Sequence, residues 1–203
     1  MLTVNNGPNG PVDDSGDSPL YAPGVLNPEV HGRLVAEIGN IVRQTNVPEK
    51  YIANSLGQWL SPDEVQLIRS MPQWDQSGLR GLVYSGSFSA HTRLLAICGC
   101  MIRNFTDARF LTVHQLIDGV KADSHLRDVS VIAIPDLYVS LQNGKSGMSP
   151  WQVADLYDIL QTRVSSDLVT FGYVDNMQRL KSDYGEAFHA LMSNFRILKM
   201  AGA

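Results

Sequence analysis

The amino-acid sequence predicts an α/β fold: a parallel sheet sandwiched by helices, with a helical extension at its N-terminal side. Three observations carry this. From Arg80 onward, short apolar runs alternate with stretches of helical character, as strands joined by crossover helices do. The intervening stretches are long enough for crossovers, which favours a parallel sheet covered on both faces. Ahead of Arg80 the chain carries helical spacing and helix-start signals. At 203 residues the chain buries a substantial core in one domain, and two full-sized domains would be crowded.

Residues 1–25 are rich in Gly, Pro, Asn, Asp and Ser, too polar to offset the entropy of ordering, and are predicted to form a disordered tail that a partner holds. Residues 26–76 form the helical region. Asn27 serves as N-cap with Pro28 at the first helical position, and Leu34, Val35, Ile38, Ile41 and Val42 mark an apolar face, so a first helix is expected over 28–44. A short helix follows from Pro48. Ser61-Pro62-Asp63-Glu64 is a capping box that starts a third over 62–70. The sequence leaves open whether these helices form a subdomain or pack over the sheet edge.

Residues 77–203 form the α/β core. Strands are expected at Gly81–Tyr84, Arg109–Thr112, Val129–Ile134, Leu168–Tyr173 and Phe195–Met200, with helices over 92–104, 113–121, 150–163 and 184–193. Ser149-Pro150-Trp151-Gln152 opens the third of these helices with another capping box, and Trp151 is expected to pack near its start.

The first strand leads into Ser85-Gly86-Ser87-Phe88-Ser89-Ala90-His91-Thr92-Arg93. A P-loop opens on glycine and closes on glycine, lysine and a hydroxyl residue, because backbone N–H groups cradle phosphate while lysine neutralises it and the hydroxyl meets magnesium. Gly86 stands at the opening position, but His91, Thr92 and Arg93 occupy the closing three. The degenerate nucleotide-site positions are therefore Gly86, Ser89, His91, Thr92 and Arg93, with Phe88 expected to plug the cavity. His91 and Arg93 offer positive charge to an anion, the weaker alternative. The acidic element that should follow the third strand reads Pro135-Asp136. Proline supplies neither a ligand nor an N–H, and Asp136 alone is a weak magnesium site.

Other candidates are weaker. Asn143-Gly144-Lys145-Ser146 contains the letters GKS without an opening glycine and reads as a solvated loop. Asp175 and Asn176 follow the fourth strand, at the sheet end where sites form, yet they also suit a helix cap. Arg163, Arg179, Arg196 and Lys199 are candidates for a partner surface. Cys98 and Cys100 are two apart in one helical run and cannot face each other, so buried thiols are expected rather than a disulfide or a metal site. The five histidines show no ligand spacing, and no nucleophile elbow is present. A net charge of −4 with 18% charged residues lacks the basic excess of a protein that holds nucleic acid with its whole surface. With no leader and no apolar stretch of membrane-spanning length, a soluble cytoplasmic protein with no membrane partner is expected.

From Leu79 to Met200 the order of these motifs resembles the ATPase core of the DnaC/IstB branch of AAA+ proteins, helicase loaders and transposase helpers. It comprises the P-loop region, Phe110 to Ile117, the Walker B-like Val131 to Leu137, the Trp151 helix, a sensor-like strand from Val169 to Asn176, and Tyr184-Gly185. The resemblance implies a P-loop NTPase-like AAA+ fold with Thr92 and Arg93 at the lysine and threonine positions. It places Pro135 at the first Walker B aspartate, Asp136 at the second, and the sensor asparagine near Asp175 or Asn176. His189 or Ala190 falls where an arginine finger is expected. The resulting expectation is a pseudo-ATPase without a cofactor, acting by protein contacts in DNA replication or transposition. A replicative helicase or an active AAA+ protein is the implied partner, with single-stranded DNA and self-association as further ones. The alternatives are a weak or partner-activated ATPase using ATP and magnesium, and a DNA-binding accessory module.

Overall fold

The computed structural model describes residues 25–86, 90–141 and 146–200. The predicted tail (residues 1–24), the loop residues Ser87, Phe88 and Ser89, and the letters Gly144 and Lys145 lie outside them. Five parallel strands, β1 (Gly81–Ser85), β2 (Ala108–Phe110), β3 (Val131–Tyr138), β4 (Val169–Val174) and β5 (Arg196–Lys199), form one sheet in the order β2-β3-β4-β1-β5. Successive residues of a strand point to opposite faces, and the sheet divides the core accordingly. Leu82, Tyr84, Phe110, Val131, Ala133, Phe171 and Tyr173 face one apolar cluster, while Val83, Ile132, Ile134 and Val174 face the other.

The first cluster is covered by α5 (His91–Arg103) together with the N-terminal helices α1 (Gly32–Ala36), α2 (Ile38–Thr45), α3 (Glu49–Ala53) and α4 (Pro62–Arg69). Leu34, Val47, Ile52 and Trp74 pack into the same cluster as the strands, so the helical extension covers the sheet side. The approach of α3 to α5 is close. A Cβ on Gly99 would stand 2.2 Å from the Tyr51 carbonyl oxygen, so a residue that ordinarily weakens a helix is the one that fits. The second cluster is covered by α6 (Val113–Ala122), α7 (Pro150–Ser165), α8 (Met177–Tyr184) and α9 (Glu186–Leu191).

Both predicted capping boxes form: Ser61 Oγ accepts from Glu64 N, and Ser149 Oγ accepts from Gln152 N, each glutamate or glutamine returning the bond. The expected helix over 28–44 is instead two short helices that break at Glu37, and Asn27 Oδ1 accepts from Glu29 and Val30 N in a turn ahead of them. The strand expected at Val129–Ile134 begins later and runs on through Pro135 and Asp136 with a register shift between Ile134 and Tyr138, the irregularity that a proline within a strand requires. Thr112, expected to end β2, caps α6. The helix expected over 184–193 is α9 alone, and Tyr184 instead closes α8.

Two side chains lie elsewhere than expected. Trp151 is 83% exposed on the first turn of α7 rather than packed. Arg163, a candidate for a partner surface, is fully buried. Its guanidinium donates from Nε to Thr170 Oγ1 (3.0 Å), from Nη1 to the carbonyls of Arg127 (2.9 Å) and Val129 (2.8 Å), and from Nη2 to that of Val169 (2.7 Å). It ties the starts of β3 and β4 together. Cys98 is buried, with its thiol pushed up to about 12 by desolvation, whereas Cys100 is only partly buried; both are free thiols.

Candidate functional site

In an open α/β sheet ligands bind beyond the carboxyl ends of the strands, and the predicted positions gather there. Gly86 ends β1. Its N–H donates to the Val174 carbonyl (3.2 Å), its carbonyl accepts from the Tyr173 hydroxyl (2.7 Å), and at φ 151° a Cβ would come 2.7 Å from the Met200 carbonyl oxygen. Glycine is required at this turn by strand packing alone. Ser89 lies outside the described residues. His91, Thr92 and Arg93 form the first turn of α5 behind Ala90, which offers no side-chain cap. His91 is exposed, with its ring edge-on to Phe110 at 4.9 Å, and Thr92 is exposed.

Arg93 is directed to the N-terminal helices. Its Nε donates to Glu64 Oε1 at 3.0 Å, and the Glu64 side chain is only 11% exposed. Burial pushes the Glu64 carboxyl up, but hydrogen bonds from the Ser61 backbone and side chain, together with the Arg93 charge, outweigh it and hold the carboxyl below its ordinary value. Beside this pair the Tyr84 hydroxyl is fully buried without a hydrogen bond of good geometry, and desolvation and the nearby Glu64 charge push its pKa up.

Asp136 sits within β3, not after it, and its Oδ1 accepts from Val113 N at 2.9 Å, pinning the start of α6. Desolvation raises its pKa despite that bond and the neighbouring His114. The sensor-like pair is engaged locally, although Asp175 Oδ1 is buried without a hydrogen-bond partner among the described residues. Asn176 Oδ1 caps α8 by accepting from Gln178 and Arg179 N at 3.0 Å each, and Asp175 Oδ2 accepts from Ser140 N at 2.8 Å. Among the described residues no cluster of histidine, cysteine and carboxylate side chains is arranged to hold a metal ion. No described helix is long and apolar enough to cross a membrane.

The chain is similar to solved structures of replication proteins. It matches the crystal structure of the DnaC helicase loader with a TM-score of 0.59 and 17% identity, over 76% of this chain and 100% of that one. The replication initiator DnaA bound to AMPPCP and single-stranded DNA matches with a TM-score of 0.56 and 10% identity, over 77% of this chain and 51% of that one. DnaI matches with a TM-score of 0.51 and 17% identity, over 77% and 96%. The fold is of the AAA+ type. The chain spans about half the length of the initiator structures it matches. No family model matches the sequence. No curated protein matches it either.

Within this AAA+-type fold sequence reasoning missed Glu64, whose bond to Arg93 spans 29 positions. The visible signal was the capping box that holds Glu64 in place, which says nothing of a second partner.

Proposed function

We propose that this protein is a non-catalytic AAA+-type accessory protein that acts through protein contacts in DNA replication or transposition, as a helicase-loader-like adaptor or inhibitor. The observation that carries the reading is the engagement of Arg93 by Glu64. The residue at the hydroxyl position of the P-loop is a cation, and that cation is committed to the N-terminal helices. A magnesium nucleotide fits the described residues poorly. Thr92 brings one neutral hydroxyl where lysine would bring a charge, Pro135 offers no ligand, and Asp136 is bonded to the backbone of α6.

The likeness to the helicase loader over that chain's full length supports a replication context, and the N-terminal region is the proposed partner-binding part. The partner is a replicative helicase or an active AAA+ protein. Purified protein incubated with ATP and magnesium, alone and with a replicative hexameric helicase, tests both halves of the reading. The expected result is co-elution with the helicase and no phosphate release above that of the helicase alone. Magnesium-dependent hydrolysis by the isolated protein, or failure to co-elute with any replicative helicase or AAA+ protein of its host, would overturn it.

A further inference from the structure

A groove of about 340 Å³ lies between α1, α2, the end of α5 and the start of β2. Its apolar lining is Leu34, Ile41, Ile102 and Phe105, and its charges are spent on each other: Arg33 pairs with Glu37, and Arg109 with Asp107. Phe105 is 69% exposed and held at φ 59°, a left-handed conformation that a helix end ordinarily gives to glycine. The turn is made by backbone alone: Phe105 N donates to the Ile102 carbonyl and Thr106 N to that of Met101, both at 2.9 Å. The ring stacks on His31, with centroids 5.7 Å apart. Val25 and Val30 are exposed too. They stand on the stretch that leads from Ala53, whose carbonyl accepts from Val25 N, to His31 and this ring.

We propose that this groove seats the chain's own N-terminal segment, with Leu20 and Tyr21 packed on Phe105 and the apolar lining. The 24 residues ahead of Val25 join the described structure beside it. Val25 is bonded to Ala53, and Arg103, two positions before Phe105, donates to the carbonyls of Ile52 and Asn54 at 2.8 and 2.7 Å. Pro23-Gly24 is the central dipeptide of a type II turn, which reverses the chain over the exposed Val25 and Val30. From Leu20 to Gly24 the chain spans at most about 18 Å, and so short a tether costs little closure entropy and gives a high effective concentration. Charge agrees. The segment carries Asp13, Asp14 and Asp17 with no lysine or arginine. Arg103 and Lys50, where it joins, form no ion pair among the described residues, and against them on α3 stands Glu49 alone. So placed, the segment hides an exposed aromatic surface from other proteins. The proposal stands whether or not the adaptor reading does.

The test is limited chymotrypsin digestion of the full chain, with release of residues 1–21 followed by mass spectrometry and a synthetic peptide of residues 12–26 as the unseated reference. Cleavage after Tyr21 requires the open segment, so its rate follows the open fraction. Burying Leu20 and Tyr21 should slow it about tenfold or more relative to the peptide. Phe105→Gly should restore the peptide's rate without lowering Tm, because it removes the ring and suits the left-handed turn. Val30→Ser, at an exposed position on the same stretch, should give an intermediate rate and keeps the test decisive if the glycine variant is destabilised. Trp151→Ala, exposed on α7, should be cut at the native rate, and the slowing should persist on dilution. A native chain cut as fast as the peptide, or a Phe105→Gly chain cut as slowly as the native one, would overturn the proposal. Slowing that vanishes on dilution would overturn it too, by assigning the seat to the segment of a second copy.

Discussion

Replacing Arg163 by methionine should destabilise the fold by about 2–5 kcal/mol, because buried acceptors lose their donor. The side chain is fully buried and joins α7 to the starts of β3 and β4 through four acceptors, three of them backbone carbonyls. Methionine retains the volume of the stem and removes every donor. Two of these acceptors, Thr170 Oγ1 and the Val129 carbonyl, are buried, and each left without a partner costs about 1–3 kcal/mol, so the two together reach about 2–6 kcal/mol. The recovered desolvation of the guanidinium offsets part of this. That desolvation pulls its pKa down to about 10, against a small opposing contribution from Asp128, and it remains charged at neutral pH. Lysine in its place keeps one charge but presents three donors from a single point and should lose about half as much. Urea unfolding followed by circular dichroism reads the difference as a shift in midpoint at constant slope. A methionine variant within about 1 kcal/mol of the native protein would refute the reasoning, because the carbonyls would then have found water.

Gly99→Ala places a Cβ 2.2 Å from the Tyr51 carbonyl oxygen and should lower stability by about 1–3 kcal/mol through overpacking of α3 against α5, despite the better helix propensity of alanine; a rise in Tm would contradict the packing. Asp136→Asn should stabilise the protein at neutral pH and flatten its dependence on acid. The folded carboxyl titrates above its unfolded value, so the native state binds more protons and stability falls as pH rises through that interval; asparagine can still accept from Val113 N. Parallel thermal melts at several pH values check this, with an unchanged or lowered Tm at pH 7 as the contrary result.

The strands were legible because burial on both faces leaves unbroken apolar runs, and the starts of α4 and α7 because serine, proline and an acidic or amide residue at fixed spacing specify a helix start. The rest depended on partners remote in sequence. The break at Glu37 interrupts an apolar pattern that continues across it. Helix α8 is short and carries only Met177, Leu180 and Tyr184 as apolar positions, so the cap signal at Asn176 announced it without fixing its extent. Arg163 reads as a surface charge because its partners are mainly backbone carbonyls, which carry no residue identity. At the candidate site the identities of His91, Thr92, Arg93 and Pro135 were visible in the letters. The direction in which Arg93 points was fixed only by the position of α4.

Among the described residues the outer strand β5 bonds to β1 on one side alone, and a strand with one free flank is a template for another chain. Its four residues begin with Arg196 and end with Lys199, leaving Ile197 and Leu198 between two exposed charges. Those charges act as gatekeepers: a second molecule adding to that flank would bring like charges together and strip them of water. Neutral apolar replacements would remove the guard and yield aggregates, whereas glutamate reverses the charge and keeps it in place.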